Sequence, residues 1–585
     1  MKFLGNVLAT LVGIFIFCML FVFGIVFISV LASGGGEKVS VANNSVIVLD
    51  LSEVKNDYAG KSKYIDFDYY EVNNDGLSDI VAAIENAKTD KSIKGISILN
   101  SGSKLGAAQT NWLRAALADF KTSNKFVYAY GDEMSQGEYY LNSIADSIYI
   151  NPVGALEFKG LSAELMFFKD LQEKSGIKME VIRHGKYKSA VEPFLQNEMS
   201  DANREQVTTM LQTSWNVILD EVSKSRKISK ENLNAIADDL KARTPEMAKS
   251  EHLVDVVAYE DIYHNQIKKV LKVDSKKDYE TISILDYAKN VATKPKSLPD
   301  SRIAIIYAQG QIMSGEGDVS YIGEGSMRRS IKEAREDDKV KAIVLRVDSP
   351  GGSALTSDLI WREIELTKGI KPVVVSMGNV AASGGYYISC NADMIFAEPN
   401  TITGSIGVFG VLPNFTELSK RIGIHTQQIK TNKNAAEYSP FIPLDDTMRA
   451  QTQSDVERIY SIFVNRVAEG RNMTFEQVDN IGQGRVWTGA DALGIGLVDK
   501  LGNLNDAVAE AAKMAKVKNY STRSYPEYER NFKDLFASLM PSFISSKALL
   551  EKEIGTENYA LLQEIKNITN QKGVQLLMPF QLLIK

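Results

Sequence analysis

Cysteine is nearly absent from this chain. Its 585 residues hold two, Cys18 in an apolar N-terminal run and Cys390 far downstream, so neither a disulfide framework nor a cysteine-rich metal site can be built. Histidine is almost as scarce. His184, His252, His264 and His425 are scattered without HExxH or other ligand spacing, so no metal centre is expected and no histidine has the context of a base for a serine nucleophile. Long basic runs are missing too, and a formal net charge of −6 leaves no electrostatic footprint for nucleic acid. Hydrophobic content of 44% with 24% charged residues is ordinary for a folded protein, which excludes disorder as the default.

What is present begins with an apolar run. Residues 7–32 carry no charged side chain, and a helix of that length, at about 1.5 Å per residue, exceeds the roughly 30 Å hydrocarbon core of a bilayer. A cleavable signal peptide would have a shorter apolar region followed by a small-x-small site, and Phe17 before Cys18 does not suit a lipoprotein signal. The expectation is an uncleaved anchor at 7–32. Lys2 lies before it, while Glu37 and Lys38 beyond it offset each other, which places residues 1–6 in the cytoplasm. No later stretch is apolar enough to cross back, so the rest should lie on the far side of the membrane, tethered by Ser33-Gly34-Gly35-Gly36.

The body of the chain repeats itself. Lys94-Gly95-Ile96 matches Lys341-Ala342-Ile343, Tyr139-Tyr140 matches Tyr386-Tyr387, Ala145-Asp146 matches Ala392-Asp393, and Pro193-Phe194 matches Pro440-Phe441, always 247 positions apart. A register kept over a hundred residues indicates duplication of one folded unit. The two units are placed at 40–290 and 296–516, with a C-terminal tail at 517–585 read as packing or assembly surface. In the second unit, Ile303-Ala304-Ile305-Ile306-Tyr307, Ala342-Ile343-Val344-Leu345-Arg346-Val347, Val373-Val374-Val375 and Met394-Ile395-Phe396-Ala397 are short β-rich runs between segments of helical spacing, an α/β pattern. A helix is predicted over 355–367 with Leu355, Leu359, Ile360 and Ile364 on one face, and another starting near Ser383. The first unit repeats the plan with Gly95-Ile96-Ser97-Ile98-Leu99, Phe126-Val127-Tyr128-Ala129 and Ile148-Tyr149-Ile150.

Each unit lacks what the other supplies. Ser383, within Ala381-Ala382-Ser383-Gly384-Gly385, corresponds to Gln136, and Lys188 corresponds to Ala435. A serine nucleophile needs a base, and a lysine serves if burial lowers its pKa enough to make it neutral. Lys188 sits among Ser189, Ala190, Val191 and Pro193, whereas Lys186 is expected to be solvated. Gly351 or Gly352, with the Gly384 amide, can supply the two N–H donors an oxyanion requires. Taken singly the motifs have plainer readings: Ala-Ala-Ser-Gly-Gly as a tight helix start that is not GxSxG, and Lys188 as a surface residue. Their complementary loss across a duplication favours one shared site.

Asp348-Ser349-Pro350-Gly351-Gly352, Ser376-Met377-Gly378 through Tyr386-Tyr387, Thr403-Gly404-Ser405-Ile406-Gly407, and Tyr187-Lys188-Ser189-Ala190-Val191-Glu192-Pro193-Phe194 together resemble the signal peptide peptidase A (protease IV) family, peptidase family S49, in its long duplicated form. The resemblance covers roughly 40–520. It implies tandem ClpP/crotonase-like domains, a homo-oligomer (a tetramer), and degradation of signal peptides and other hydrophobic peptides at the cytoplasmic (inner) membrane, with the catalytic domains on the periplasmic side. It also implies Ser383 as nucleophile, Lys188 as general base, Ser405 as the hydroxyl orienting the lysine amine, and Gly352 as an oxyanion donor, with no cofactor. Two rivals remain: a crotonase-type acyl-CoA enzyme using the same glycine-built hole without a nucleophilic serine, and an inactive membrane scaffold. Neither explains why both halves of the Ser383/Lys188 pair are kept.

Overall fold

The computed structural model describes residues 6, 10–17, 21, 40–65, 69–293, 299–435, 438–530 and 575–578. Most of the expected anchor at 7–32 therefore lies outside the described residues, although 10–17 are helical. Among the described residues no helix is long and apolar enough to cross a membrane.

Each repeat builds a sheet. In the first, the order is Val256–Val257, Ser147–Ile150, Phe126–Gly131, Ile93–Leu99, Ser45–Val48, Thr281–Ser283, all parallel. The second runs Val486–Thr488, Ile402–Gly404, Val373–Ala382, Val340–Ser349, Arg302–Gln309, Ser521–Tyr525, and Met394–Ala397 also pairs with Val373–Ala382. Parallel strands are covered on both faces and so read as nearly continuous apolar runs; in Val340–Ser349 only Lys341 is exposed, and Asp348 is half-buried. Duplication extends to single hydrogen bonds. Buried Tyr139 donates to the Leu253 carbonyl as Tyr386 donates to that of Leu497, and Arg226 pairs with Asp255 as Arg471 pairs with Asp499.

Two expectations need correction. The helix at Ala354–Thr367 buries Ala354, Ile360, Trp361 and Ile364, but Leu355 points to solvent, because at 3.6 residues per turn it lies on the opposite side of the helix from Ile360 and Ile364. Residue 516 is not the end of the second unit, since Ser521–Tyr525 completes its sheet beside Arg302–Gln309 and Glu527–Arg530 pairs with Lys61–Tyr64 of the first unit.

The repeats do not sit apart. One apolar core includes Ile96, Trp112 and Leu113 of the first unit and Ile303, Tyr307, Val344 and Val374 of the second. Asn379 Oδ1 accepts from the backbone N–H groups of Ala108 and Gln109 (3.1 and 3.2 Å), capping helix Ala107–Lys121 from the other repeat. Beneath it, Arg346 Nε donates to Asp57 at 2.6 Å, both side chains buried. A third sheet is shared: Tyr321–Gly323, Gln311–Met313, Gly351–Ser353, Gln575–Leu577, Val408–Asn414, Lys178–His184. Its last pair, antiparallel with Ile182 opposite Gly410, carries a first-repeat strand onto the second repeat and delivers the chain that follows it to Ser383.

Candidate active site

Ser383 stands where strand Val373–Ala382 turns into helix Gly384–Tyr387, at φ 55° and ψ −113°. Such a backbone is costly for a residue with a β-carbon and persists only when its surroundings hold it. Here the Ser383 N–H donates to the Gly404 carbonyl (2.9 Å), and its own carbonyl accepts from Tyr387 N–H (2.8 Å). Ser405, also at positive φ (50°), follows strand Ile402–Gly404 and is held by its N–H on the Arg485 carbonyl (2.7 Å). Both hydroxyls are thereby fixed from the backbone outward.

Lys188 arrives from the other repeat. After strand Lys178–His184 the chain turns at Gly185, where φ is 98° and a β-carbon would collide with the Gln483 carbonyl oxygen. Tyr187 N–H then donates to that carbonyl (2.9 Å), Arg183 Nη1 donates to the Lys188 carbonyl (3.1 Å), and Gln206 Nε2 donates to Tyr187 O (3.2 Å) and Ser189 Oγ (2.8 Å). Gly484 presses so closely that a β-carbon there would lie 2.6 Å from Lys188 Cβ. Gripped from both repeats, the side chain is fully buried, and its Nζ lies 2.9 Å from Ser383 Oγ, 2.9 Å from Ser405 Oγ and 3.2 Å from the Ser405 carbonyl oxygen. Burial alone lowers the Lys188 amine well below its ordinary pKa, with no carboxylate to restore the charge. A neutral amine can donate to both Ser405 oxygens and accept from the Ser383 hydroxyl. Lys186, two residues earlier, is exposed as expected.

The glycines divide. Gly351 N–H is taken by Ser349 Oγ (3.2 Å), so Gly352 is the amide of that pair left facing the cleft. Gly384 packs against it, since a β-carbon on Gly384 would lie 3.2 Å from the Gly352 nitrogen. Asp348 ties the two glycine-bearing segments together: its carboxylate accepts from Val380 N–H (2.9 Å) and Asn379 Nδ2 (3.2 Å). Burial, with Asp57 nearby, pushes its carboxyl up to about 7.

In the first repeat the equivalent place is filled. Gln136 Oε1 accepts from the N–H groups of Lys159 and Gly160 (3.0 Å each), Leu105 occupies the position of Gly352, and buried Phe158 that of Ser405. Ala435, the counterpart of Lys188, lies on an exposed loop. The six candidate residues thus converge on one place, assembled from both repeats of a single chain. Sequence reasoning missed Gln206, Gln483 and Gly484; the run Gly482-Gln483-Gly484 was the available signal for a backbone pressed against another segment.

Residues 119–274 and 365–518, one stretch from each repeat, match the model of Peptidase family S49. Protease 4 of Salmonella typhi is 38% identical over 86% of this chain and 81% of its own length. Protease 4 of Haemophilus influenzae is 36% identical over 84% and 83%, and the chloroplastic serine protease SPPA of Arabidopsis thaliana 33% identical over 74% and 64%. Among solved structures, a ClpP1 from Listeria monocytogenes (TM-score 0.24, 16% identity) covers 36% of this chain and is itself covered to 95%. The 1510-N membrane-bound stomatin-specific protease (TM-score 0.26, 16% identity) covers 39% and is covered to 99%; at such scores neither adds to the α/β reading. The chain is a serine peptidase and belongs to peptidase family S49.

Proposed function

We propose that this peptidase is a membrane-anchored endopeptidase that uses Ser383 as nucleophile and Lys188 as general base on hydrophobic peptides, signal peptides among them. The observation that carries the reading is the 2.9 Å approach of Lys188 Nζ to both Ser383 Oγ and Ser405 Oγ inside a fully buried site. The neutral amine takes the hydroxyl proton as Oγ attacks the peptide carbonyl; Ser405 orients its lone pair by accepting its N–H bonds. The N–H groups of Gly352 and Gly384 stabilise the oxyanion, and Lys188 then returns the proton to the leaving amine. Water resolves the acyl-enzyme by the same proton path. An acyl-CoA lyase or isomerase would have no use for a serine held in a strained backbone against a neutral lysine.

Strand Gly351–Ser353 and strand Val408–Asn414 frame the cleft, one strand apart in the shared sheet, which suits an extended peptide that completes the sheet and sends alternate side chains into apolar cover. The uncharged run at 7–32 supports tethering at the cytoplasmic membrane with the catalytic units on the periplasmic side; Leu11, Phe15 and Phe17 of the helical residues there are exposed. In a competition assay, a signal-peptide hydrophobic core is cleaved faster than a polar peptide of equal length. Equal or preferential cleavage of the polar peptide by detergent-solubilised enzyme rejects the substrate assignment while leaving the dyad intact.

An unpaired counterpart of one strand supports the reading of a homo-oligomer. Strand Lys178–His184 is paired, but its counterpart 247 positions on, residues 425–431, is exposed, and Ile429 is bare where its equivalent Ile182 is buried. The same junction repeated between chains, with residues 161–167 of another copy in the place of Val408–Asn414, gives a head-to-tail ring. Ile429→Asp combined with Ile424→Asp is expected to yield monomers by sedimentation velocity; an unchanged assembly size removes this junction.

A further inference from the structure

Resting on the reading of the Ser383 cleft as the peptide site, we propose that this chain's own residues 575–578 occupy that cleft in cis and compete with peptide substrates. Strand Gln575–Leu577 lies between Gly351–Ser353 and Val408–Asn414, antiparallel to both, with Gly351 opposite Leu577, Gly352 opposite Leu576, and Phe409 opposite Gln575. Without it the shared sheet falls into two halves whose edges face each other across the width of one strand.

The register places one peptide unit at the reacting centre. Met578 N–H donates to the Pro350 carbonyl (2.7 Å), which makes Pro350 and Met578 a hydrogen-bonded pair. Antiparallel pairs alternate, so Gly352 and Leu576 are the next hydrogen-bonded pair and the Leu576 carbonyl accepts the Gly352 N–H. Gly384 stands on the other side of the same oxygen: a β-carbon added to Gly351 would collide with the Leu576 carbonyl oxygen and lie 2.6 Å from the Gly384 nitrogen. The Leu576 carbonyl therefore sits between the two donors assigned to the oxyanion, and its side chain is wholly buried in the second core. Because the strand belongs to the same chain, its binding is intramolecular and competes with a peptide substrate at an effective concentration that does not fall on dilution.

The test compares full-length protein with a chain ending at Val574 and with Leu576→Asp, which keeps the segment but places a charge in an apolar site. Both variants are expected to lower KM for an apolar reporter peptide by about tenfold or more with kcat little changed. A synthetic peptide of residues 575–585 should restore the higher KM competitively. Unchanged KM in both variants, or loss of activity in both with circular dichroism retained, overturns the proposal. Docking is read apart from turnover by fluorescence anisotropy of the labelled peptide on the Val574-terminated Ser383→Ala protein. Absence of binding there overturns the inference even if the dyad is correct, and saturable binding supports it even if Ser383→Ala proves active. Ser383-dependent loss of residues 577–585 in the intact mass would make the segment a consumed substrate and likewise overturn its role as a retained competitor.

Discussion

Replacing Ser383 by alanine or Lys188 by methionine lowers kcat/KM for peptide hydrolysis by at least about a thousandfold, because members of a nucleophile–base unit act together and little survives the loss of either. Lys186→Ala, on the exposed side of the same turn, retains most of the activity. The two inactive variants differ in stability in a way that identifies the base. Since burial depresses the Lys188 pKa, the folded protein binds fewer protons than the unfolded chain between that lowered value and 10.5. Its contribution to stability is present above the unfolded pKa and is lost as pH falls toward the folded one. Lys188→Met removes this penalty, so its melting temperature at neutral pH should equal or exceed that of wild type, whereas Ser383→Ala leaves the penalty in place. The rate of the wild-type enzyme should rise with pH through an apparent pKa well below that of free lysine and then level off, as the neutral amine becomes fully populated. A rate still climbing near the ordinary lysine pKa, or turnover close to wild type in Ser383→Ala with the fold verified by circular dichroism, removes the dyad.

Gly352→Ala is expected to cost about a hundred- to a thousandfold in kcat, the effect of losing one oxyanion donor. Its φ of 154° is one that a residue with a β-carbon rarely adopts, and the added carbon would collide with the Ile312 carbonyl oxygen on the neighbouring strand. Strand Gln311–Met313 and the Gly352 amide must then separate, moving the N–H away from the substrate carbonyl. Gly494→Ala, at a helix end with open space around it, serves as the control and should change nothing. A Gly352→Ala enzyme with unaltered kcat and a raised KM would mean that this amide only binds the peptide strand and does not stabilise the transition state.

Much of the fold was legible before the structure because its signals are local. Val340–Ser349, Val373–Ala382 and Met394–Ala397 appear in the sequence as β-rich runs, and each has a counterpart 247 positions earlier in Ile93–Leu99, Phe126–Gly131 and Ser147–Ile150. Buried parallel strands need apolar residues on both faces, so composition alone marks them. On Ala354–Thr367 the apolar Leu355 faces water, because at 3.6 residues per turn it lies on the opposite side of the helix from Ile360 and Ile364, and being apolar does not by itself place a residue on the buried face. The closing strand Ser521–Tyr525 was missed as well. At the edge of the sheet it is largely half-buried and polar, without the apolar run that marks an interior strand.

By itself the sequence determined that the chain is a duplicated α/β protein, and that Ser383 and Lys188 survive in opposite copies with glycines at Gly351, Gly352 and Gly384. Such statements rest on residue identity and on spacing along one dimension. Only the tertiary structure decided that the two halves of the dyad meet within one chain at 2.9 Å. It also decided that Gly351 turns its amide to Ser349, and that a segment nearly two hundred residues beyond Ser383 lies in the cleft between them. Each of these depends on strands paired across long stretches of chain, and pairing register is set by packing and by the edges available, which no local pattern encodes. The lowered Lys188 pKa has the same origin, because a lysine becomes a base at neutral pH only when the rest of the fold removes the water around it.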